Sequence, residues 1–557
     1  MNQKLRSIIV LVLVIAMLLP VGVMAEETKD LTVFYVAKDG NNSNAGTEDA
    51  PFATIEGARD AIREAKKAGT LGKDGAVVYI REGEYYIENS IVFNSEDSGT
   101  KDAPVVYRNY PDENVSFVGA ATIDWGNFKP LTDRATLERI VDTDARKNIV
   151  VADLFALGFT NLPELSMPGT YSYHPPMPEI HGKQEPIAGD PELVINGQGM
   201  TVARYPNDEY MEIADVIEPG ATPRNWLDQH KGQSYWVAPE DRKPDPFTIS
   251  LDDERVTYWS NAKEAMISGL FYYSWASQTV PMASVNPEKK SITSTIPSFY
   301  GILAGQSVYV YNLIEEIDIP GEYYVDRKTG KIYLYPPSNN IEFVAYTTLD
   351  DYMFKFAEAK YIKLKGIDMS YMRSGAVEMS VGTSNCEVVD SEINYPGKRA
   401  IVINGSDCKI YDSFIHDVEG GIDLNGGNRQ DLTPGNNVAE NNEFTRCDRM
   451  SKTYMSAVSA NGAGNHIVYN KIHDADHTIV QFNGNDHTIS FNEIFDAVQY
   501  TDDMGAIYTG RDLTGRGNVI SHNYLHDIGG ATIGGQGNLA IFLDDWFSAA
   551  DIYGTGI

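Results

Sequence analysis

One short template recurs from about residue 360 onward. Ile410-Tyr-Asp-Ser-Phe-Ile-His416, Ile467-Val-Tyr-Asn-Lys-Ile-His473, Ile489-Ser-Phe-Asn-Glu-Ile-Phe495 and Ile520-Ser-His-Asn-Tyr-Leu-His526 share it. It reads apolar, two variable, Asn or Ser, one variable, apolar, then often His-Asp. Its fourth position falls at Ile367, Ser391, Ser413, Asn442, Asn470, Asn492 and Asn523, in steps of 24, 22, 29, 28, 22 and 31 residues. A second series, Ile401-Val-Ile-Asn-Gly405, Ile422-Asp-Leu-Asn-Gly426, Val458-Ser-Ala-Asn-Gly462 and Phe482-Asn-Gly484, runs between them. Short period-two strands at this interval, split by Asn-Gly turns, specify a parallel β-helix. One coil cannot bury its inner face alone, so coils stack and share a core. The crossover rule for parallel strands makes the winding right-handed. A leucine-rich repeat would need a Leu-dense consensus and a helical turn per repeat, and neither is present. Asn425, Asn461 and Asn483, at equivalent turns, suggest a stacked amide ladder.

The N-terminal part fits the same plan. Phe34-Tyr-Val-Ala37 reads as a strand, and Thr54 as the N-cap of a helix whose Ile55, Ala58, Ile62 and Ala65 form one apolar stripe. This short helix is expected to cap the open end of the solenoid, with the coils beginning at 77–80 and 90–93. Residues 122–345 break the rhythm. They are rich in aromatics and Pro, with alternating runs such as Ser307-Val-Tyr-Val-Tyr-Asn312 and Lys331-Ile-Tyr-Leu-Tyr335. Such runs predict antiparallel hairpins with one buried face. The expected order is therefore a signal segment at 1–25, the cap and first coils at 26–121, an inserted antiparallel β domain at 122–345, and the parallel β-helix at 346–557. The fold class is all-β.

Lys4 and Arg6 precede the apolar run 8–19, and Val23 and Ala25 supply a small-residue cleavage pattern before Glu26-Glu27. Twelve apolar residues make about 18 Å of helix against a bilayer core of roughly 30 Å. Secretion is the expectation, with cleavage removing two positive charges. At the other end, Asp551-Ile-Tyr-Gly-Thr-Gly-Ile557 repeats the template with Thr555 in the Asn position. The sequence reads as a fragment whose full protein continues for several coils.

Composition limits the partners. The 78 Asp+Glu outnumber 45 Lys+Arg, for a formal charge of −33. Phosphate backbones and anionic membrane surfaces are held by Lys and Arg, so nucleic acid and membrane are excluded as partners. A polyanionic polysaccharide would need cations or a local basic patch. An uncharged polysaccharide or oligosaccharide bound by a monomer remains the expectation. Three Cys do not make a disulfide framework in a chain of this size, and Cys386 and Cys408 occur in matching repeat contexts. Neither a His-Glu-x-x-His spacing nor a complete calcium loop occurs (Asp39 to Asn44 fails at its sixth position), so no metal or cofactor is expected.

Some motifs go beyond architecture. The segments Glu192-Leu-Val-Ile-Asn-Gly-Gln-Gly-Met-Thr-Val-Ala-Arg-Tyr-Pro-Asn207 and Pro320-Gly-Glu-Tyr-Tyr-Val-Asp-Arg-Lys-Thr-Gly-Lys-Ile-Tyr-Leu-Tyr-Pro-Pro337 occur with Asp503-Met-Gly-Ala-Ile-Tyr-Thr-Gly-Arg511 and Phe542-Leu-Asp-Asp545. Together they resemble glycoside hydrolase family 141 over roughly residues 32–557. The resemblance implies a β-helix with an inserted β domain, an activity of the xylanase or α-L-fucosidase type, and two catalytic aspartates on consecutive coils, at Asp503 and Asp544. Asp502 and Asp545 compete for those roles.

Glycosidic cleavage needs one carboxylic acid to protonate the leaving oxygen and a second carboxylate as base or nucleophile. Asp502-Asp503 and Asp544-Asp545 offer both, and crowding raises one pKa, which suits the acid. Asp-Asp before Gly or aromatic residues is also ordinary turn chemistry. Asp544 follows inward Leu543 as Asn404 follows Ile403, so an ionisable group stands where the ladder has an amide. Tyr508, Arg511, Asp545 and Trp546 are candidate sugar contacts through ring faces and hydroxyl-binding groups. Seven of the ten His lie between 416 and 526. His416, His473 and His526 share one template position and read as a solvent-facing or turn-supporting column, whereas His477, off that column, is the candidate for substrate contact. The alternatives are a polysaccharide lyase and a non-catalytic glycan-binding β-helix.

Overall fold

The computed structural model describes residues 30–172, 185–220, 245–530, 537–547 and 549–557. The expected signal segment lies outside them. Three parallel sheets form the solenoid. Sheet I has eleven strands from Thr32–Val36 to Ala550–Tyr553, sheet II nine from Ile91–Asn94 to Asn538–Asp544, and sheet III nine from Gly83–Tyr86 to Tyr524–Ile528. The chain is a parallel β-helix, and each full coil visits sheets II, I and III in turn.

The repeat template explains the register. Leu364, Val388, Ile410, Ala439, Ile467, Ile489 and Ile520 pair one above another in sheet I. All are at most 1% exposed. Each row of apolar side chains adds its burial to a single continuous core.

The fourth template position turns inward at a coil corner and forms a buried amide ladder. Asn442, Asn470, Asn492 and Asn523 are each 2% exposed. Each lower amide Oδ1 accepts both the backbone N–H and the Nδ2 of the residue above, at 2.9–3.1 Å. Asparagine suits this position because a buried corner leaves backbone donors that one amide can satisfy. A second column holds Cys408, Asn437, Asn465, His487 and Asn518, linked from each backbone N–H to the next side chain. The three Cys are buried free thiols.

The cap forms as expected. The helix Ile55–Ala68 begins with Thr54, whose side chain accepts from Gly57 N–H, and ends with Gly69 at φ 68°. Ile55, Ala58 and Ile62 are buried against the first coils.

The inserted strands run from Ala120–Thr122 to Val344–Thr347. Phe354, where sheet II resumes, pairs with Ile91, so the chain leaves and re-enters within one coil. The hairpin Glu322–Asp326 with Lys331–Leu334 is antiparallel, and so is the pairing of Ser307–Tyr311 with Met266–Gly269. The expectation of one buried face is corrected for Lys331–Leu334, whose Ile332, Tyr333 and Leu334 are all buried. The two faces of that strand meet separate apolar clusters, one containing Ile332 and Leu334, the other Tyr333.

Candidate active site

Asp503 and Asp544 lie on consecutive coils, flanking or ending the neighbouring strands Met504–Gly510 and Asn538–Asp544 of sheet II. They are not register partners. Asp544 pairs with Gly510, and Met504, the residue after Asp503, pairs with Asn538. The ladder skips Ala506 and Ala540, where the strands bend. The bend at Gly505 is tight: a Cβ there would lie 2.7 Å from Phe542 Cβ and 2.8 Å from the Ile507 carbonyl oxygen. This fold of the strand brings the two carboxylates within electrostatic reach. Burial pushes the Asp503 carboxyl above the usual carboxylate range, and the charges of Asp544, Asp502 and Asp545 push it the same way.

The position of Asp544 follows from the repeat. Asn425 Nδ2 donates to Asn404 Oδ1 at 3.2 Å, and Asn461 Nδ2 to Asn425 Oδ1 at 2.9 Å, on the outer face of sheet II. Asn461 pairs with Asn483, and Gln481 pairs with Tyr508. On the next coil Gly510 pairs with Asp544. The amide column runs from Asn404 to Asn483, and the acceptor-only carboxylate of Asp544 lies beyond it, beside Gly510.

Both Asp-Asp pairs share one local geometry. Asp503 N–H donates to Asp502 Oδ1 and Asp545 N–H to Asp544 Oδ1, each at 2.7 Å. Asp502 is fully buried, whereas Asp503 and Asp544 are partly open. The positive φ of Asp503 (56°) is no sign of special strain, because Asp417, Asp474 and Asp527 adopt it at other coil corners.

The other candidates divide. Tyr508 OH donates to Asp544 Oδ2 at 3.0 Å, its ring edge-on to Phe542. Arg511 Nε donates to Asp545 Oδ2 at 2.7 Å, so the guanidinium is neutralised within the site. Trp546 is 79% exposed beside them. His477 is a correction: it is 0% exposed and offers no surface to a substrate. Its Nδ1 accepts the Tyr454 N–H at 3.3 Å, and its ring packs 4.7 Å from the Tyr454 ring. Desolvation pushes its pKa down to about 3, so it is a neutral acceptor beneath Tyr454. The His column supports coil corners: His416, His473 and His526 each share a hydrogen bond with the following Asp at 2.7–2.8 Å.

Residues outside the sequence candidates complete the surroundings. Tyr454 lies 6.3 Å from Tyr508 and 6.2 Å from Tyr171, ring centre to ring centre. Tyr171 leads to Trp275 at 5.7 Å and Tyr300 at 5.0 Å, both on the insert. An aromatic wall from the insert thus reaches the aspartates. A cavity of about 400 Å³ continues along this junction, lined by Met167, Gly189, Lys398, Arg399, Glu419 and Met455. The aromatic richness of 122–345 was the available signal, but composition gives no address in space.

No family model matches the chain. The uncharacterized protein YwoF of Bacillus subtilis (strain 168) is 33% identical over 97 residues, a match covering 17% of this chain and 18% of that protein. Among solved structures, one described as a glycoside hydrolase is similar with a TM-score of 0.66 and 14% identity, over 94% of this chain and 96% of that one. XylC in complex with xylose aligns with a TM-score of 0.49 and 13% identity, over 91% of this chain and 66% of that one. At these identities the first similarity shows a shared β-helix fold and no more.

Proposed function

We propose that the protein is a secreted glycoside hydrolase of the family 141 type, cleaving xylan or a fucosylated glycan with Asp503 and Asp544. The observation that carries this reading is that two carboxyl groups on consecutive coils lie within electrostatic reach of each other in unlike surroundings. Asp503 is partly desolvated and crowded by three negative charges, which suits a group that must arrive protonated. Asp544 accepts hydrogen bonds from Tyr508 OH and Asp545 N–H, which orients it as a base or nucleophile. The protein sharing its architecture over most of both chains is described as a glycoside hydrolase, which supports the same class.

In this mechanism Asp503 gives its proton to the glycosidic oxygen as the bond from that oxygen to the anomeric carbon breaks. Asp544 either attacks the anomeric carbon or takes a proton from the water that does. The carboxyl separation in the substrate complex decides between retained and inverted configuration. Tyr508 and the Asp545 N–H hold Asp544 by one lone pair on each oxygen and leave the other lone pair of each oxygen to face the sugar.

The test is reducing-end release from xylans and fucosylated oligosaccharides by the wild type and by Asp503→Asn and Asp544→Asn. Release by the wild type and its loss in both variants supports the reading. Formation of unsaturated uronides from pectin or alginate, read by ultraviolet absorbance, would replace it with a lyase.

A further inference from the structure

Between the insert and the outer face of sheet II, phenol groups from both parts of the chain form one chain of contacts that ends at Tyr508, the phenol that reaches the aspartates. The Tyr171 and Tyr454 side chains share a hydrogen bond, and the Tyr300 and Tyr508 phenols act electrostatically on Tyr454. Tyr508 in turn holds Asp544. Trp275 stacks against Tyr273 at 4.9 Å and 14° and meets Tyr300 edge-on at 5.2 Å. It is half-buried and also packs against the solenoid core. Tyr454 is seated by His477 from below, so its ring is fixed rather than adaptable.

We propose that this insert-borne wall is the subsite that binds a neutral sugar ring next to the aspartates, so that the insert, not the solenoid, sets substrate specificity. The inference rests on the glycosidase reading of the same site. Its physical basis is twofold. Aromatic edges and faces pack against sugar C–H surfaces, while phenol hydroxyls both donate and accept, matching sugar hydroxyls. Charge then selects among sugars. Asp502, Asp503, Asp544 and Asp545 gather at one end of the wall, and the nearby Arg511 is already paired with Asp545. A uronate carboxylate there would meet uncompensated negative charge. A neutral pyranose meets none.

Binding can be read without catalysis. Titration calorimetry on the Asp544→Asn protein would use neutral xylo-oligosaccharides, fucosylated oligosaccharides and oligogalacturonates. A neutral oligosaccharide is expected to bind, with oligogalacturonates weaker by at least about tenfold. Trp275→Ala in the same background is expected to weaken the neutral ligand by about tenfold or more. Tyr300→Phe, which keeps the ring and removes one hydroxyl, should weaken it severalfold with an unchanged melting temperature, which guards against a misfolded Trp275→Ala variant. Unchanged affinity in Tyr300→Phe and in a folded Trp275 variant, oligogalacturonates binding as tightly as neutral sugars, or no neutral oligosaccharide binding at all would each overturn the proposal. Failure of the hydrolase reading would show separately, as wild-type protein that binds the sugars but releases no reducing ends.

Discussion

Replacing Asn470 by Ala tests the device that holds the coils in register. The Asn470 amide is 2% exposed. Its Oδ1 accepts from Asn442 N–H at 3.0 Å and Asn442 Nδ2 at 3.1 Å, and its Nδ2 donates to the Ala439 carbonyl and Asn492 Oδ1, both at 3.0 Å. Two partners survive the loss. Asn442 Nδ2 keeps the Ile410 carbonyl, and Asn492 Oδ1 keeps the Asn470 backbone N–H. The Asn442 N–H and the Ala439 carbonyl lose their side-chain partner inside the core. Stranding each costs about 1–3 kcal/mol, and the vacated amide adds a small cavity. The expected loss is about 3–5 kcal/mol, read by equilibrium urea unfolding with amide exchange to detect unfolding in parts. Asn483→Ala, on the exposed outer ladder, is the control and should cost below about 1 kcal/mol. An Asn470→Ala cost no larger than that control would refute the argument that the buried amides are structural partners.

Other outcomes follow from the site. Tyr508→Phe removes the hydroxyl donor to Asp544 and should lower kcat about ten- to a hundredfold with an unchanged circular dichroism spectrum. Asp503 acting as the acid must be protonated, so activity falls as pH rises through its raised pKa. Asp502→Asn removes one charge that raises it, and the alkaline limb of the pH–rate profile should move to lower pH. An upward shift would be the wrong sign. Gly505→Ala forces a Cβ into Phe542 and the Ile507 carbonyl at the bend and should abolish reducing-end release while leaving most of the fold intact. N-terminal sequencing of protein recovered from the medium should begin at Glu26; a retained Met1 would contradict the secretion proposal.

The solenoid was legible because its physics is local and repeated. Strand parity, the Asn at each corner and the Ile rows need only neighbouring residues, and each repeat restates them. Asp544 was legible as a break in that pattern, since an ionisable group replaces an amide at a known column. The relation of Asp503 to Asp544 was not, because the two are not register partners and their approach depends on how the chain bends at Gly505, which the repeat does not encode. His477 misled for a related reason. Its neighbours Asp476 and Thr478 are polar, so only the observed packing under Tyr454 shows that it faces inward. The insert's aromatics were visible as composition, but their approach to Tyr454 depends on how a long non-repeating segment returns to the coil, which no period encodes.

The most direct test of the two-carboxylate claim is the rate of reducing-end release by Asp503→Asn, Asp544→Asn and the double variant on the best wild-type substrate. Each single variant should fall by about 10²–10⁴-fold. The double should fall little further, because the two groups act as one unit. Either single variant retaining the wild-type rate would contradict the account.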